Sequence, residues 1–397
     1  MAVVAAAIAA CGEAGSGHRP VRPGIEVLLT DSLHLVRGNR VGILTNQTGV
    51  DHTGHGDIEL LRAAQVNVTA IFSPEHGFRG TLDGENIGNT VDSATGVPIY
   101  SLYGTVRAPT KGMWERVDVL LIDLQDIGAR PYTYISSTLM ALQSARENGR
   151  RVVVLDRPNP IGGDLVQGPM LDLGVATFVG MLPVPLRHGL TLGELARLGN
   201  DALGIHADLV VVPADGWRRA DWFDRTGLPW IKPSPNMPDL ESASHYPGLV
   251  LFEATNLSVG RGTPVAFQVL AAPWLNAAGL IARVPPIPGV VLSDTLVFPQ
   301  APGDGKYGGQ EIPAVRFRVT RRGVYDPARM AVSLLIGLRS LHRDSLRIES
   351  RAFDQRAGSS QLREALEGDH TANRTWNAWR ADLDDFVQRR KPYLLYD

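Results

Sequence analysis

The run Ser73-Pro74-Glu75-His76-Gly77-Phe78-Arg79-Gly80 is the part of this sequence best suited to acid–base chemistry. Pro74 and Gly77 bracket one carboxyl group on a tight loop, and Phe78 is close enough in sequence to keep water from it. A carboxyl held this way can give a proton to a leaving oxygen. Glycoside hydrolysis needs such an acid and a second carboxylate that attacks or activates water. Asp123 and Asp126 flank Gln125 behind an apolar run, and Glu253 follows Leu251-Phe252. These three are the candidates for the second role. Asp156 precedes Arg157-Pro158, so it can equally shape a turn. Glu194 lies three residues after Thr191, the spacing of a helix capping box.

The remaining polar loops supply the residue types that recognise a sugar. Amides and carboxylates bond hydroxyl groups, and aromatic rings pack on a sugar face. The expected substrate-binding set is Asn46, Arg79, Gln125, Arg130, Tyr132, Asp156, Asn159, His188, Glu194, Asn236, Asn256 and Arg261.

Those loops need a scaffold that brings them together, and the apolar runs between them provide one. Val41–Thr45, Val66–Phe72, Val117–Leu124, Arg151–Leu155 and Leu209–Pro213 are short, nearly continuous apolar strands. Helical patterns over Ile58–Ala64, Ile135–Asn148 and Thr191–Asn200 separate them. Buried strands alternating with helices imply an α/β, Rossmann-like fold with a mostly parallel sheet, covered on both faces. Ligands bind such sheets outside the carboxyl ends of the strands, where these loops fall. Pro285-Pro286-Ile287-Pro288-Gly289 reads as a boundary. Beyond it come a strand at Val315–Thr320 and helices at Pro327–His342, Ser360–Glu367 and Thr375–Arg389. The expected organisation is a tether over 1–23, a Rossmann-like catalytic domain over 24–284 and a smaller α+β auxiliary domain over 285–397.

Other chemistries fit less well. With 39 basic and 41 acidic residues the net charge is −2, which lacks the basic field of a nucleic-acid binder. No Gly-x-Gly-x-x-Gly opens a helix after a strand, and no P-loop motif occurs. Gly303-Asp304-Gly305-Lys306-Tyr307-Gly308-Gly309 precedes no clear helix and reads as a turn. Asp51-His52-Thr53-Gly54-His55-Gly56-Asp57 has metal-binding residue types without a metal-site spacing, so its histidines read as turn residues. No Gly-x-Ser-x-Gly elbow is present. No cofactor or metal is expected. The one cysteine, Cys11, follows the apolar run Met1–Ala10, and Ile8-Ala9-Ala10-Cys11 resembles a bacterial lipoprotein box. The expectation is export to the periplasm or cell envelope with a lipid tether at Cys11. No Lys or Arg precedes the apolar run, which departs from an ordinary signal.

Taken together, these motifs resemble the exo-β-N-acetylmuramidase (NamZ-type) family. The similarity is carried by Thr45–Gly49, Ser73–Gly80, Asp123–Tyr134, Leu155–Pro160, Arg187–Thr191, Pro233–Met237, Ala254–Asn256, Gly260–Thr263 and Tyr393–Tyr396. It extends over about residues 24 to 397. The resemblance implies a Rossmann-like domain, a C-terminal auxiliary domain and a cleft between them. It implies release of N-acetylmuramic acid from the non-reducing end of peptidoglycan fragments. It puts the catalytic expectation on Glu75, with His76 beside it. Two positions depart from the family pattern: Val259 and Gln268 stand where glutamates are usual.

N-acetylmuramic acid carries a lactyl carboxylate, which a guanidinium matches in shape and charge. Arg79, Arg130, Arg157 and Arg261 are the candidates. The expected activity is therefore an exo-acting glycosidase of cell-wall turnover, acting on a muramic acid–glucosamine type saccharide. The alternatives are a non-catalytic lipoprotein that binds cell-wall sugars and a metal-dependent esterase or deacetylase.

Overall fold

The computed structural model describes residues 20–81, 88–368 and 371–397. The chain enters through α1 (Gly24–Asp31), then β1 (Val41–Thr45), α2 (Asp57–Ala63), β2 (Val68–Ser73), β3 (Thr90–Val91) and β4 (Pro98–Ser101). It continues through a short helix α3 (Lys111–Trp114), β5 (Val119–Asp123), α4 (Tyr134–Glu147), β6 (Arg151–Leu155), α5 (Leu192–Ala202) and β7 (Leu209–Val212). The seven strands form one sheet in the order β3-β4-β2-β1-β5-β6-β7, parallel except for the β3–β4 pair.

Period-two alternation explains how one apolar strand serves two faces. Leu120 and Ile122 of β5 pack with Ile135, Leu139 and Leu142 of α4 and Leu195 of α5. Val119 and Leu121 of the same strand pack with Ile25 and Leu28 of α1 and Ile58 and Leu61 of α2. This is the expected α/β architecture.

The second part begins with α6 (Leu240–Leu249) and a 3-10 turn (Val250–Ala254), followed by β8 (Val269–Ala271), α7 (Ala277–Arg283), β9 (Val290–Val297) and β10 (Ile312–Val319). Then come α8 (Pro327–Leu341), α9 (Ser350–Ala357), α10 (Gln361–Glu367), α11 (Ala372–Ala378) and α12 (Arg380–Arg389). Its sheet is antiparallel, in the order β8-β10-β9. The proline-rich run at Pro285–Gly289 lies between α7 and β9, so a strand of this sheet comes from before it. The core that lies on the α4 side of the large sheet continues through Leu249 of α6 into Val315 and Phe317 of β10 and Leu334 and Leu338 of α8. The two parts therefore share one apolar core.

Several elements differ from the sequence reading. The single helix expected over Thr375–Arg389 is two, α11 and α12, meeting at Trp379. α1, β3, β4, α3, α6, β8, α7, β9 and α9 were not foreseen. Pro247 inside α6 reads as a helix breaker, and β9 exposes four consecutive residues, which hides its apolar alternation. Residues 20–23 of the expected tether are already docked: Val21 is buried and Arg22 pairs with Asp215. Cys11 and the lipoprotein-like box lie outside the described residues. Among the described residues no helix is long and apolar enough to cross a membrane.

Candidate active site

Glu75 stands two residues beyond the end of β2, on a turn closed by the Gly77 N–H on the Pro74 carbonyl at 3.1 Å. His76 and Gly77 both take left-handed backbone, at φ 70° and 76°. For a histidine that geometry is uncommon and costs about 1 kcal/mol or more, a strain that clusters at functional sites. Loops after β4 and β5, on either side of β2 in the sheet, hold the carboxylate. Tyr103, after β4, donates its hydroxyl to Oε1 at 2.8 Å, and Thr133, after β5, donates to Oε2 at 2.5 Å. Thr133 is the residue that caps α4, yet its side chain bonds Glu75 and not the helix N–H groups. A residue type chosen for helix capping is thus diverted to the carboxylate.

Glu75 and His76 line a cavity of about 320 Å³. Its aromatic wall runs across both parts of the molecule. Tyr134 and Tyr132 meet edge to face at 4.9 Å and Tyr132 and Tyr246 at 5.8 Å, while Tyr246 and Phe267 are tilted at 51° with centroids 4.7 Å apart. Burial pushes the Tyr132, Tyr134 and Tyr246 hydroxyls above the ordinary tyrosine range, so they stay protonated. Asn46 donates to the Tyr134 hydroxyl at 2.6 Å, which in turn donates to the Pro233 carbonyl. Asn46 therefore fixes the wall without entering the cavity.

The opposite side is charged. Glu253, from the 3-10 turn after α6, accepts from Arg261 Nε at 2.9 Å and Nη2 at 2.5 Å. Arg356 of α9 lies 3.7 Å from its other oxygen. Burial raises Glu253, and Arg261 and Arg356 more than reverse that, holding it below the ordinary carboxylate range. Lys306 Nζ donates to the Glu253 and Leu257 carbonyls at 2.9 and 3.1 Å. Asp304, on the glycine-rich turn, completes the rim.

Of the predicted residues, Glu75, His76, Tyr132, Glu253 and Arg261 line this cavity. The others are elsewhere, for identifiable reasons. Asp123 is fully buried and ion-paired with Arg157, whose Nη2 reaches it at 2.9 Å. Asp126 accepts the Gly128 N–H at 2.7 Å and faces buried His188 at 3.5 Å. His188 itself accepts the Leu190 N–H. Gln125 bonds the Asp126 and Pro158 carbonyls, and Asn159 bonds Leu190. Asp156 accepts from Thr191, Gly193 and Tyr396. Glu194 completes the capping box with Thr191 and pairs with Arg219 at 2.7 Å. Arg130 is buried and donates to the Pro169, Val184 and Arg356 carbonyls. Asn256 holds the Ser345–Arg347 loop, and Asn236 is buried outside the cavity lining. Arg79 and Phe78 line a different cavity, of about 690 Å³, beside Asn46. Phe78 therefore does not shield Glu75.

Sequence reasoning missed Tyr103, Thr133, Tyr246, Phe267, Asp304 and Arg356. Thr133 and Tyr134 closed a motif already singled out, and Asp304 sits in a run read as a turn. Nothing local marks Tyr103 or Arg356, which reach the site only through the fold. The two family departures are not in the cavity. Val259 is buried, and Gln268 donates to Asp239 and Ser242 near the start of α6. The histidines at 52 and 55 are used locally, on Glu26 and on Thr53 and Asp51. Among the described residues no group of three His, Cys, Asp or Glu is placed to hold a metal ion.

Comparison with known proteins shows the family of the chain. The chain is 38% identical over 381 residues to the peptidoglycan beta-N-acetylmuramidase NamZ of Bacillus subtilis strain 168, covering 95% of this chain and 91% of that protein. Two DUF1343 family proteins from Bacteroides fragilis NCTC 9343 share its structure. One has a TM-score of 0.87 at 34% identity, covering 95% of this chain and 99% of the other. The second has a TM-score of 0.76 at 31% identity, covering 96% and 99%. Residues 41–241 match the N-terminal and residues 244–396 the C-terminal family model of exo-beta-N-acetylmuramidase NamZ. The chain belongs to the exo-beta-N-acetylmuramidase NamZ family.

Proposed function

We propose that this protein hydrolyses the β-1,4 bond of a terminal N-acetylmuramic acid at the non-reducing end of peptidoglycan fragments, with Glu75 as general acid. The observation that carries the reading is Glu75 itself. It is a carboxyl group held by two hydroxyls from neighbouring loops, facing a cavity with an aromatic wall. That wall suits the apolar face of a sugar ring. A cavity of about 320 Å³ matches one sugar residue better than a chain, in keeping with exo action.

The proton on Glu75 passes to the glycosidic oxygen as the bond to the anomeric carbon breaks. Glu253 lies in the same cavity, but both of its oxygens face guanidinium groups. A carboxylate bonded by Arg261 and facing a second guanidinium is a weak nucleophile, and it holds Arg261 in position. Attack then falls to water or to the substrate's own 2-acetamido oxygen, a route that some glycosidases use. Asp123 and Asp126 are left as parts of the scaffold. Export and a lipid tether at Cys11, as the Ile8–Cys11 box suggests, would put the enzyme where cell-wall fragments arise. Metabolic labelling with a radioactive fatty acid, in wild type and Cys11→Ser, tests the tether.

The reaction is tested with a glycan fragment bearing muramic acid at its non-reducing end and a label at its reducing end. The expected products are free N-acetylmuramic acid and a labelled chain one sugar shorter, with or without chelator. Internal cleavage would overturn the exo assignment. Tight binding without turnover would favour a binding protein, and loss with chelator a metal-dependent hydrolase.

A further inference from the structure

The charged side of the cavity is unequally satisfied. Three cations, Arg261, Arg356 and Lys306, stand around Glu253 and Asp304, and they are held to different degrees. Arg261 is committed, with two nitrogens on one Glu253 oxygen. Lys306 is committed to two backbone carbonyls and lies 3.9 Å from Asp304. Arg356 is not. Its Nε is 3.7 Å from Glu253, its Nη1 donates to the Ala352 carbonyl of its own helix at 3.3 Å, and its Nη2 makes no hydrogen bond among the described residues. It lines the cavity and keeps 23% of its side chain exposed.

The backbone of Arg356 is nonetheless fixed. Arg130 Nη2 donates to the Arg356 carbonyl at 2.9 Å. Gly358, two residues on, takes left-handed backbone at φ 95°, and a Cβ there would sit 2.6 Å from Arg130 Nη2. A buried guanidinium from the Rossmann-like part therefore braces the end of α9 and aims an under-used one at the cavity. A planar guanidinium that turns unused N–H groups to a cavity is a receptor for a carboxylate.

We propose that Arg356 binds the carboxylate of the sugar that enters the cavity, and so sets preference for an acidic aminosugar over its neutral counterpart. This deepens the reading of the preceding section and rests on it. Arg130 is its positioning residue and touches no substrate.

The test compares kcat/KM on two chromogenic glycosides with the same leaving group, an N-acetyl-β-muraminide and an N-acetyl-β-glucosaminide. The methyl ester of the muraminide is a third substrate. Wild type should favour the free acid over both neutral substrates. In Arg356→Met the ratio of kcat/KM between acid and ester should fall roughly 10- to 100-fold, the range of a charge-assisted hydrogen bond. The loss should appear mainly in KM, and Arg356→Lys should recover part of it. Equal losses on all three substrates, or a wild type indifferent to the ester, would overturn the proposal.

Binding of N-acetylmuramic acid and of N-acetylglucosamine, measured by calorimetry, separates this inference from the proposed reaction. If no glycoside is hydrolysed but N-acetylmuramic acid binds more tightly than N-acetylglucosamine, and Arg356→Met removes the difference, the reaction fails and the receptor stands. Equal affinities, or no binding of either sugar, overturn the receptor.

Discussion

At the carboxyl ends of β1, β5 and β6, the groups Asp57, Asp123, Asp156 and Arg157 are buried and bond one another, nearby hydroxyls or the backbone. At the ends of β2 and β4, Glu75 and Tyr103 meet a cavity and the second part of the molecule. Both regions are rich in motif residues, and both lie on the same edge of one sheet. The first is the place where strand order reverses, between β1 and β5, and where ligands commonly bind such folds. Here Arg157 fills that crevice, reaching from Asp123 to the Val50 carbonyl. Gly49 allows the closure, since a Cβ there would lie 2.1 Å from Asp57. A buried carboxylate must be paired or protonated, whereas one that meets substrate must be held and still reachable. The crevice satisfies the first condition and the Glu75 cavity the second.

The comparison predicts different losses on the two sides. Glu75→Gln keeps the shape and both hydroxyl partners but removes the proton. Its kcat should fall roughly a thousandfold or more with the fold intact. Far-ultraviolet circular dichroism and the denaturation midpoint should match wild type. On the crevice side, Arg157→Met leaves Asp123 without its partner. That should cost about 3–5 kcal/mol of stability in urea denaturation, while the molecules still folded keep kcat within a few-fold. If Asp123→Asn or Arg157→Met abolished turnover in folded protein, the division drawn here would fail.

Asp156 makes the crevice side pH-dependent. Burial raises it to about 6, against partial relief from Thr191, Tyr396 and the Gly193 N–H. The folded carboxyl thus keeps its proton to a higher pH than the unfolded one. Its contribution to stability is full below about pH 4 and declines as pH rises towards 6, by about 3 kcal/mol in all. Asp156→Asn does not titrate. Between pH 4 and pH 6.5 the stability difference should therefore move by about 2 kcal/mol in favour of the variant. A constant difference across those pH values would mean that Asp156 is ionised when buried.

These contrasts also explain what could be read from the chain. Apolar runs such as Val119–Asp123 announce their own burial, so the five strands β1, β2, β5, β6 and β7 were legible, while β3 and β4, at one edge of the sheet, were not. Glu75 was legible because a proline and a glycine flank it. The division of the other motif residues was not. Asp123 and Asp156 follow strands just as Glu75 does, and only tertiary partners consume them: Arg157 in one case, Tyr396 from the end of the chain in the other. Arg130 has the spacing of a substrate residue but is withdrawn to brace α9, while Arg356, with no motif around it, takes the cavity. Long-range contacts decide which of two chemically similar groups faces the ligand, and a local pattern does not encode them.

The smallest expected effect concerns how Glu75 is held. Tyr103→Phe removes the hydroxyl on Oε1 and leaves the ring, while Thr133 still fixes Oε2. One remaining bond restrains the carboxyl less well than two, so kcat should fall roughly 5- to 10-fold with KM little changed. Thr133→Val should do about the same from the other oxygen. The double variant sharpens the point. If each hydroxyl can orient the carboxyl when the other is absent, removing both should cost more than the product of the single losses. A product that simply multiplies would mean that each donor contributes independently, and that the tight Pro74–Gly77 turn alone sets the position of Glu75.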